Sequence, residues 1–565
     1  MSRPGGRGHG RALVVGFDGA DWDVLRPLVA AGRMPHLAGW LREAGAAGGA
    51  APPGARLPST TPPMSFPAWS SFATGLAPGH HGVFDFTQKL DGAWRLRFVN
   101  ATDRRGASLW GRLAAAGGAF LCLGVPATFP AEPLPDRHGL LVPGFDAPVS
   151  TGSDARAASD PARYARIARR AGPWMVPDLD ERARTAWRSR AAGAWYARAS
   201  EVLLGRIDRK TGFALEALRQ LREEGREPDL MVVVFSESDT AAHHFWRDHD
   251  PGSPRHDPAA TLARRGALAA VYERLDAAAG ALRAAFGDDA TCVLLSDHGQ
   301  GGASRRVLHL NRRLADCGLL ARAPRSAAGR GARLARDTAL RWLPPRAAQA
   351  VFRRARTSAA RLESAARFGG VDWRRTVAVS EEANTQPGVW IALRGREAGG
   401  AVAPADYERV RQDVIDALLD WKLEGGAPVI ARARRREEVY EGPFVPRAPD
   451  VVVELALEDG YAHSLVPTPW HEGGGPAVRT LTGGELGGGR GCGLNGTHRP
   501  DGIWLALGAA RPAAPASIAG VAPALAPLLG LAAAGSDHAA PAPAPYDAAQ
   551  EGLVAARLRA LGYLE

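Results

Sequence analysis

Cysteine is scarce in this chain: Cys122, Cys292, Cys317 and Cys492 are the only four in 565 residues, far apart and with no C-x-x-C pair. That pattern suggests neither a sulfur-ligated metal nor a disulfide framework, and the thiols read as buried or idle groups, consistent with a reducing, cytoplasmic setting. Long uncharged apolar runs are also missing. The stretch 505–534 tempts a membrane assignment, but it contains Arg511 and several prolines and is alanine-rich, a poor bilayer span. Residues 1–11 are rich in Gly and Arg and lead into Ala12-Leu-Val-Val-Gly-Phe17, which is too short for the apolar core of an export signal. There is no internal repeat, and low complexity is confined to the Gly-rich 473–491 and the Ala/Pro tract 539–545.

What is present suits an ordinary folded chain. Hydrophobic residues make up 45% and charged residues 23%, while 67 glycines and 43 prolines make it loop-rich. Its length exceeds the size at which one core stops growing, so one large α/β core with insertions, or two domains, is expected. The net charge of +11 is unevenly placed, because residues 303–370 hold sixteen arginines against Asp316, Asp337 and Glu363. Arginine forks suit phosphate, so this block could rest on nucleic acid or an anionic membrane surface. A solvated helical insertion is the preferred reading, since charge runs are mostly solvated faces.

Short apolar runs at 13–17, 120–124, 230–235, 292–296, 389–393, 451–454 and 503–507 are bounded by turn residues, and most read as buried parallel strands. Between them, 24–31 and 262–286 place apolar residues at three- and four-residue spacing, as helices do. Strands alternating with helices predict a doubly wound, mostly parallel sheet with helices on both faces. The expected organisation is a first core part at 1–129, a helical insertion at 130–225 and a second core part at 226–304. An Arg-rich helical insertion at 305–375, a smaller strand-containing cap at 376–480 and a last core part at 481–565, closed by a helix at 548–561, complete it.

Three of those strands end in acids. Asp18 follows Leu13-Val-Val-Gly-Phe17, Asp239 lies four residues after Met231-Val-Val-Val-Phe235, and Asp297-His298 follow Thr291-Cys-Val-Leu-Leu-Ser296. In an open parallel sheet the carboxyl ends share one edge, so these side chains converge although they are distant in sequence. Each alone has a plainer role, with Asp18 or Asp21 capping a helix, Asp239 capping a turn and His298-Gly299 forming one. Together, carboxylate and imidazole are the ligand mix of zinc and similar divalent ions. Asp239-Thr-Ala-Ala-His243 adds an imidazole at helical spacing, whereas His244 would point elsewhere.

Ser65 precedes a predicted helix with Pro67 in its first turn, so it either caps that helix or attacks a phosphoryl group held at the helix N-terminus. No G-x-S-x-G elbow pairs it with a histidine base, which leaves metal coordination as the way to activate it.

This constellation resembles the alkaline phosphatase superfamily, and within it the type I phosphodiesterase/nucleotide pyrophosphatase family. The resemblance rests on Gly16-Phe-Asp-Gly-Ala-Asp-Trp22, Ser65-Phe-Pro67 with Thr74-Gly75 and Pro78-Gly-His-His-Gly82, Asp239-x-x-x-His243, Asp297-His298-Gly299 and Gly496-Thr-His-Arg-Pro-Asp-Gly502. It implies an alkaline phosphatase-like fold and two divalent metal ions, zinc as a rule. One would be held by Asp239, His243 and His498, the other by Asp18, Asp297 and His298 with Ser65 as both ligand and nucleophile. Phosphate ester hydrolysis through a phosphoseryl intermediate is the implied reaction, on a small-molecule ester. His498 is chosen over His309, His80 and His81 on this resemblance alone.

Two positions depart from related patterns. Nucleotide pyrophosphatases carry Asn three residues after the nucleophile, where this chain has Ala68, which puts nucleotide diesters in question. Trp69 stands where the similar sulfatase signature needs Arg. Phosphomonoester hydrolysis, phosphonate hydrolysis and phosphomutase chemistry use the same ligands and remain alternatives. From another class, the fold could serve as a non-catalytic polyanion-binding protein through residues 303–370.

Overall fold

The computed structural model describes residues 10–46, 54–134, 139–148, 154–175, 191–323, 359–383, 387–469, 475–486, 494–532 and 544–561. At its centre is a seven-stranded sheet in the order Ala55–Pro58, Asp501–Leu507, Thr291–Leu295, Ala12–Phe17, Leu230–Phe235, Phe120–Leu123, Gly139–Val142. Pairing is parallel from Thr291–Leu295 through Gly139–Val142, and only Asp501–Leu507 runs against its neighbours. The two central strands, ALVVGF and LMVVVF, are buried at every position. Such a strand needs cover on both faces. Leu13, Val15 and Phe17 pack into a layer with Leu268, Val271 and Tyr272 of the helix Leu262–Phe286 and with Leu203 and Phe213 of the helix Ala191–Glu223. The alternate residues Ala12 and Val14 face the opposite layer, built on Trp69, Phe72, Trp110 and Leu525. The mixed α/β sandwich expected from the alternating pattern is the one observed.

The segment 130–225 is more than a helical insertion. It supplies the edge strand Gly139–Val142 and the 33-residue helix Ala191–Glu223, both parts of the central sandwich. Four residues ending at a proline give too short an apolar run to register as a strand. The runs at 389–393 and 451–454 do form strands, but antiparallel ones, in a separate four-stranded sheet of Ala378–Ser380, Gly388–Ile391, Val451–Leu455 and Ile430–Arg435. That sheet has its own apolar layer with the helix Tyr407–Leu419. An apolar run reports burial on both faces and carries no information on strand direction.

The ten-residue strand Gly299–Leu308 has no apolar pattern at its start, GQGGASRRVL, and escapes sequence reading. It lies antiparallel to Gly496–Arg499 and Val478–Thr480 and parallel to Tyr461–Leu465. Of the Gly-rich 473–491 the described part includes Val478–Thr480, and the remainder lies outside the described residues. Most of the arginine block, 324–358, and the Ala/Pro tract up to residue 543 also lie outside them. The flanks of the arginine block form the helices Leu310–Asp316 and Ala359–Phe368, and the closing helix spans Ala548–Leu561.

Among the described residues no helix is long and apolar enough to cross a membrane. The described part of the stretch 505–534, residues 505–532, includes the end of Asp501–Leu507 and short helical turns such as Val521–Leu525. Cys122 and Cys292 are buried free thiols, Cys317 is exposed, and Cys492 lies outside the described residues.

Candidate metal centre

The three neighbouring strands Thr291–Leu295, Ala12–Phe17 and Leu230–Phe235 deliver their acids to one sheet edge. The Asp18 amide donates to Phe235 O (3.0 Å), and the Ser238 hydroxyl donates to Asp18 O (2.6 Å), which locks two of the strand ends together. Asp239 sits in the first turn of the helix Glu237–His249, so His243 one turn later lies on the same face, its Nε2 3.1 Å from Asp239 Oδ1. His298 Nε2 lies 3.3 Å from Asp297 Oδ2 and 3.6 Å from Asp18 Oδ1.

His498 arrives by a different route. The antiparallel pairing of Gly496–Arg499 with Gly299–Leu308 sets His498 opposite Gln300, and directly opposed residues point to the same side. Both reach Asp239: His498 Nε2 is 3.4 Å from Oδ1, and Gln300 Nε2 donates to the same oxygen. His498 also stacks on His298, with ring centroids 3.8 Å apart.

The chain thus assembles two groups, Asp239/His243/His498 and Asp18/Asp297/His298, each with one ligand atom per residue lying within 4.8 Å of the others. Each imidazole is turned the same way. His243 Nδ1 meets Gly496 O (2.8 Å), His298 Nδ1 meets Gly299 O (3.0 Å) and His498 Nδ1 meets Pro63 O (2.8 Å). A carbonyl oxygen only accepts, so Nδ1 carries the proton in all three and Nε2 presents a lone pair inward.

His243 Nε2 and His498 Nε2 are 3.1 Å apart, and Asp297 Oδ2 is buried without a hydrogen-bond partner. Burial raises Asp18 well above the ordinary carboxyl range, and the neighbouring Asp297 and Asp239 raise it further. Burial pushes Asp297 up to about 8, with Asp239 adding to the shift. Burial also pushes His298 well down, with His498 contributing, and lowers His498. At Asp239 burial acts to raise the pKa, but the adjacent His243 and His498 outweigh it and hold the carboxyl well below its ordinary range. Three carboxyl groups and three imidazoles that turn Nε2 inward are the mixed donor set that suits divalent cations, and these residues fit two.

Ser65 lies against the Asp18/Asp297/His298 group. It is the first residue of the helix Ser65–Thr74, one position inside the N-cap Met64, and is fully buried. The capping role open to it in the sequence therefore falls away: its Oγ is 3.3 Å from Asp18 Oδ1 and 3.3 Å from His298 Nε2.

The other histidines weighed in the sequence stay apart from both groups. His81 is engaged with Ser71 Oγ (3.0 Å) and the Val83 amide (3.1 Å), His309 Nδ1 lies by Val466 O (3.3 Å), and His80 is exposed. His244 packs edge-on against Trp195. Asp21 caps the helix Trp22–Ala30. Two residues in contact with the ligands were not read from sequence in that role. Trp69 Nε1 donates to Asp18 Oδ2 (3.0 Å), and Gln300 holds Asp239. Trp69 could have been found from its i+4 spacing to Ser65, whereas Gln300 depends on strand pairing and leaves no local signal.

A family model for type I phosphodiesterase / nucleotide pyrophosphatase matches residues 12–465, a span that holds every residue of the two groups except His498. Among solved structures, a murine ectonucleotide pyrophosphatase / phosphodiesterase 5 aligns at 13% identity over 93% of this chain and 96% of its own, with a TM-score of 0.44. Phosphonoacetate hydrolase from Sinorhizobium meliloti 1021, in complex with phosphonoformate, aligns at 14% identity over 88% and 90%, with a TM-score of 0.48. No curated protein sequence matches the chain.

Proposed function

We propose, for a chain that belongs to the type I phosphodiesterase / nucleotide pyrophosphatase family and is a phosphoric ester hydrolase of the alkaline phosphatase superfamily, that Ser65 is its nucleophile and phosphodiesters its substrates. Asp239, His243 and His498 would hold one divalent cation, and Asp18, Asp297 and His298 a second, with Ser65 completing the latter. Mixed carboxylate and imidazole donors favour zinc. The observation that carries the reading is the pair of carboxyl–imidazole groups, one of which holds a buried serine hydroxyl against Asp18 and His298.

When bound, the cations supply Lewis acidity that eases deprotonation of the serine hydroxyl and takes up charge on the phosphoryl oxygens. The chain's own residues do the rest. Asp18 Oδ1 and His298 Nε2, both 3.3 Å from Ser65 Oγ, fix the direction of attack. Ser65 Oγ, its proton lost to solvent water, bonds to phosphorus as the bond from phosphorus to the leaving oxygen breaks, giving a phosphoseryl ester and an alcohol that takes a proton from water. Water then cleaves that ester and restores the hydroxyl. The partial positive end of the helix Ser65–Thr74 faces the transferred group and stabilises its charge.

Ala68 narrows the substrate question. It is fully buried in the apolar layer that seats the helix on the sheet, and its amide donates to Met64 O (3.0 Å), so this position offers no side-chain amide to a phosphate oxygen. Nucleotide selectivity would have to come from elsewhere, and a panel of nitrophenyl mono- and diesters, a phosphonate and a sulfate ester ranks the leaving groups, with the diester expected first.

The test is metal analysis together with Ser65→Ala. Close to two divalent ions per chain and a loss of diester turnover of at least about a thousandfold are expected. Full activity in the variant, or an active protein free of metal, refutes the mechanism.

A further inference from the structure

Trp69 is the residue whose place in the sequence motif the mechanism leaves without a role, since it stands where a sulfatase-like signature carries Arg. It lies one helical turn after Ser65, and both side chains are fully buried. Its indole N–H donates to Asp18 Oδ2 at 3.0 Å. An indole has one donor and no acceptor, so this bond occupies Oδ2 and leaves Oδ1 to Ser65 Oγ at 3.3 Å and His298 Nε2 at 3.6 Å. The central strand is shaped for it: a Cβ on Gly16 would come within 2.6 Å of Trp69 Cη2. Phe72 packs edge-on against the ring, with 5.3 Å between centroids.

We propose that Trp69 is a positioning residue that turns Asp18 so that only Oδ1 faces the cation group formed with Asp297 and His298, and that it does so with a neutral donor so that the group keeps its full negative charge. The charge is the reason for Trp. Asp18 and Asp297 bring two negative charges to a doubly charged ion, and a guanidinium on Oδ2 would offset one of them. The other group has its own neutral donor, Gln300 Nε2, on Asp239 Oδ1.

This inference rests on the two-cation reading, and the experiment separates the two. The chelator-stripped protein is titrated with Co²⁺ against a competing chelator, following the visible bands of bound Co²⁺. Wild type is expected to show two binding classes. Trp69→Phe, which keeps the ring and removes the N–H, is expected to weaken one class by about 10–100-fold, the usual effect of losing a partner of a metal ligand, and to leave the other unchanged. In a His243→Ala background only the class governed by Trp69 remains, and adding Trp69→Phe weakens it by the same factor. Gly16→Ala, which displaces the indole while leaving its N–H chemically in place, is expected to act on the same class. Two unchanged classes in Trp69→Phe overturn the positioning role. Equal weakening of both classes assigns the loss to general packing and overturns it too. A wild type that binds no pair of Co²⁺ ions sinks the two-cation reading instead.

Discussion

Replacing Asp297 by Asn should make the metal-free protein more stable while making it useless. Asp297 is fully buried, its Oδ2 has no hydrogen-bond partner, and burial followed by the Asp239 charge pushes its pKa up from 3.8 to about 8. A carboxyl whose folded pKa exceeds its unfolded one binds its proton more tightly in the fold. Stability is therefore undiminished below about pH 4, falls as pH rises, and levels off above about pH 8. At pH 7 the penalty amounts to about 4 kcal/mol, from ~1.36 kcal/mol per unit over roughly three units. Asn removes the titrating group and keeps the shape. Its Oδ1 still accepts from the Gly19 amide, as Asp297 Oδ1 does at 3.1 Å, and its Nδ2 would take the place of Oδ2, 3.3 Å from the inward His298 Nε2, an acceptor. Thermal and denaturant unfolding of the chelator-treated proteins from pH 4 to 8.5 should show the variant gaining on wild type as pH rises. Metal at about ten thousand times Kd should reverse the order, because only wild type gains the linkage contribution of the cation held by Asp18, Asp297 and His298, about 5.5 kcal/mol at that excess, while both proteins keep the other group. An apo variant no more stable than apo wild type at pH 8 would mean that the buried carboxylate carries no such penalty.

Gln300→Met should weaken the cation class of Asp239, His243 and His498 by about 10–100-fold in the same Co²⁺ titration, since Gln300 is the amide donor on Asp239, and a variant with unaltered binding would remove that role. Away from the site, Lys89 and Glu397 form a buried ion pair at 2.7 Å, with side chains 4% and 0% exposed, between the hairpin strand Thr87–Lys89 and the Gly388–Ile391 side of the second sheet. Glu397→Ala should cost about 3–5 kcal/mol in chemical denaturation by stranding the lysine, and Lys89→Met added to it should recover much of the loss. A single variant as stable as wild type would show the pair to be solvated.

How much of this was legible in the sequence follows from what is local. The runs ALVVGF, LMVVVF and TCVLL encode their own burial, and buried parallel strands place their carboxyl ends at a common edge, so the meeting of Asp18, Asp239, Asp297 and His298 was already implied. The four-residue spacing of Asp239 and His243 encoded their shared helical face. Edge strands were not legible, because Ala55–Pro58 and Gly139–Val142 are short and owe their conformation to a neighbour in space. Nor was strand direction, as Asp501–Leu507 and the second sheet show.

The sequence by itself therefore determined the central sandwich and most of the acid edge, since both follow from residues adjacent along the chain. Only the tertiary structure decided that His498 joins Asp239, that Gln300 and Trp69 grip one carboxylate each, and that Ser65 Oγ lies between Asp18 and His298. Each of those contacts depends on the register or packing of segments from about fifty to more than two hundred and fifty residues apart, which no local pattern of side chains records.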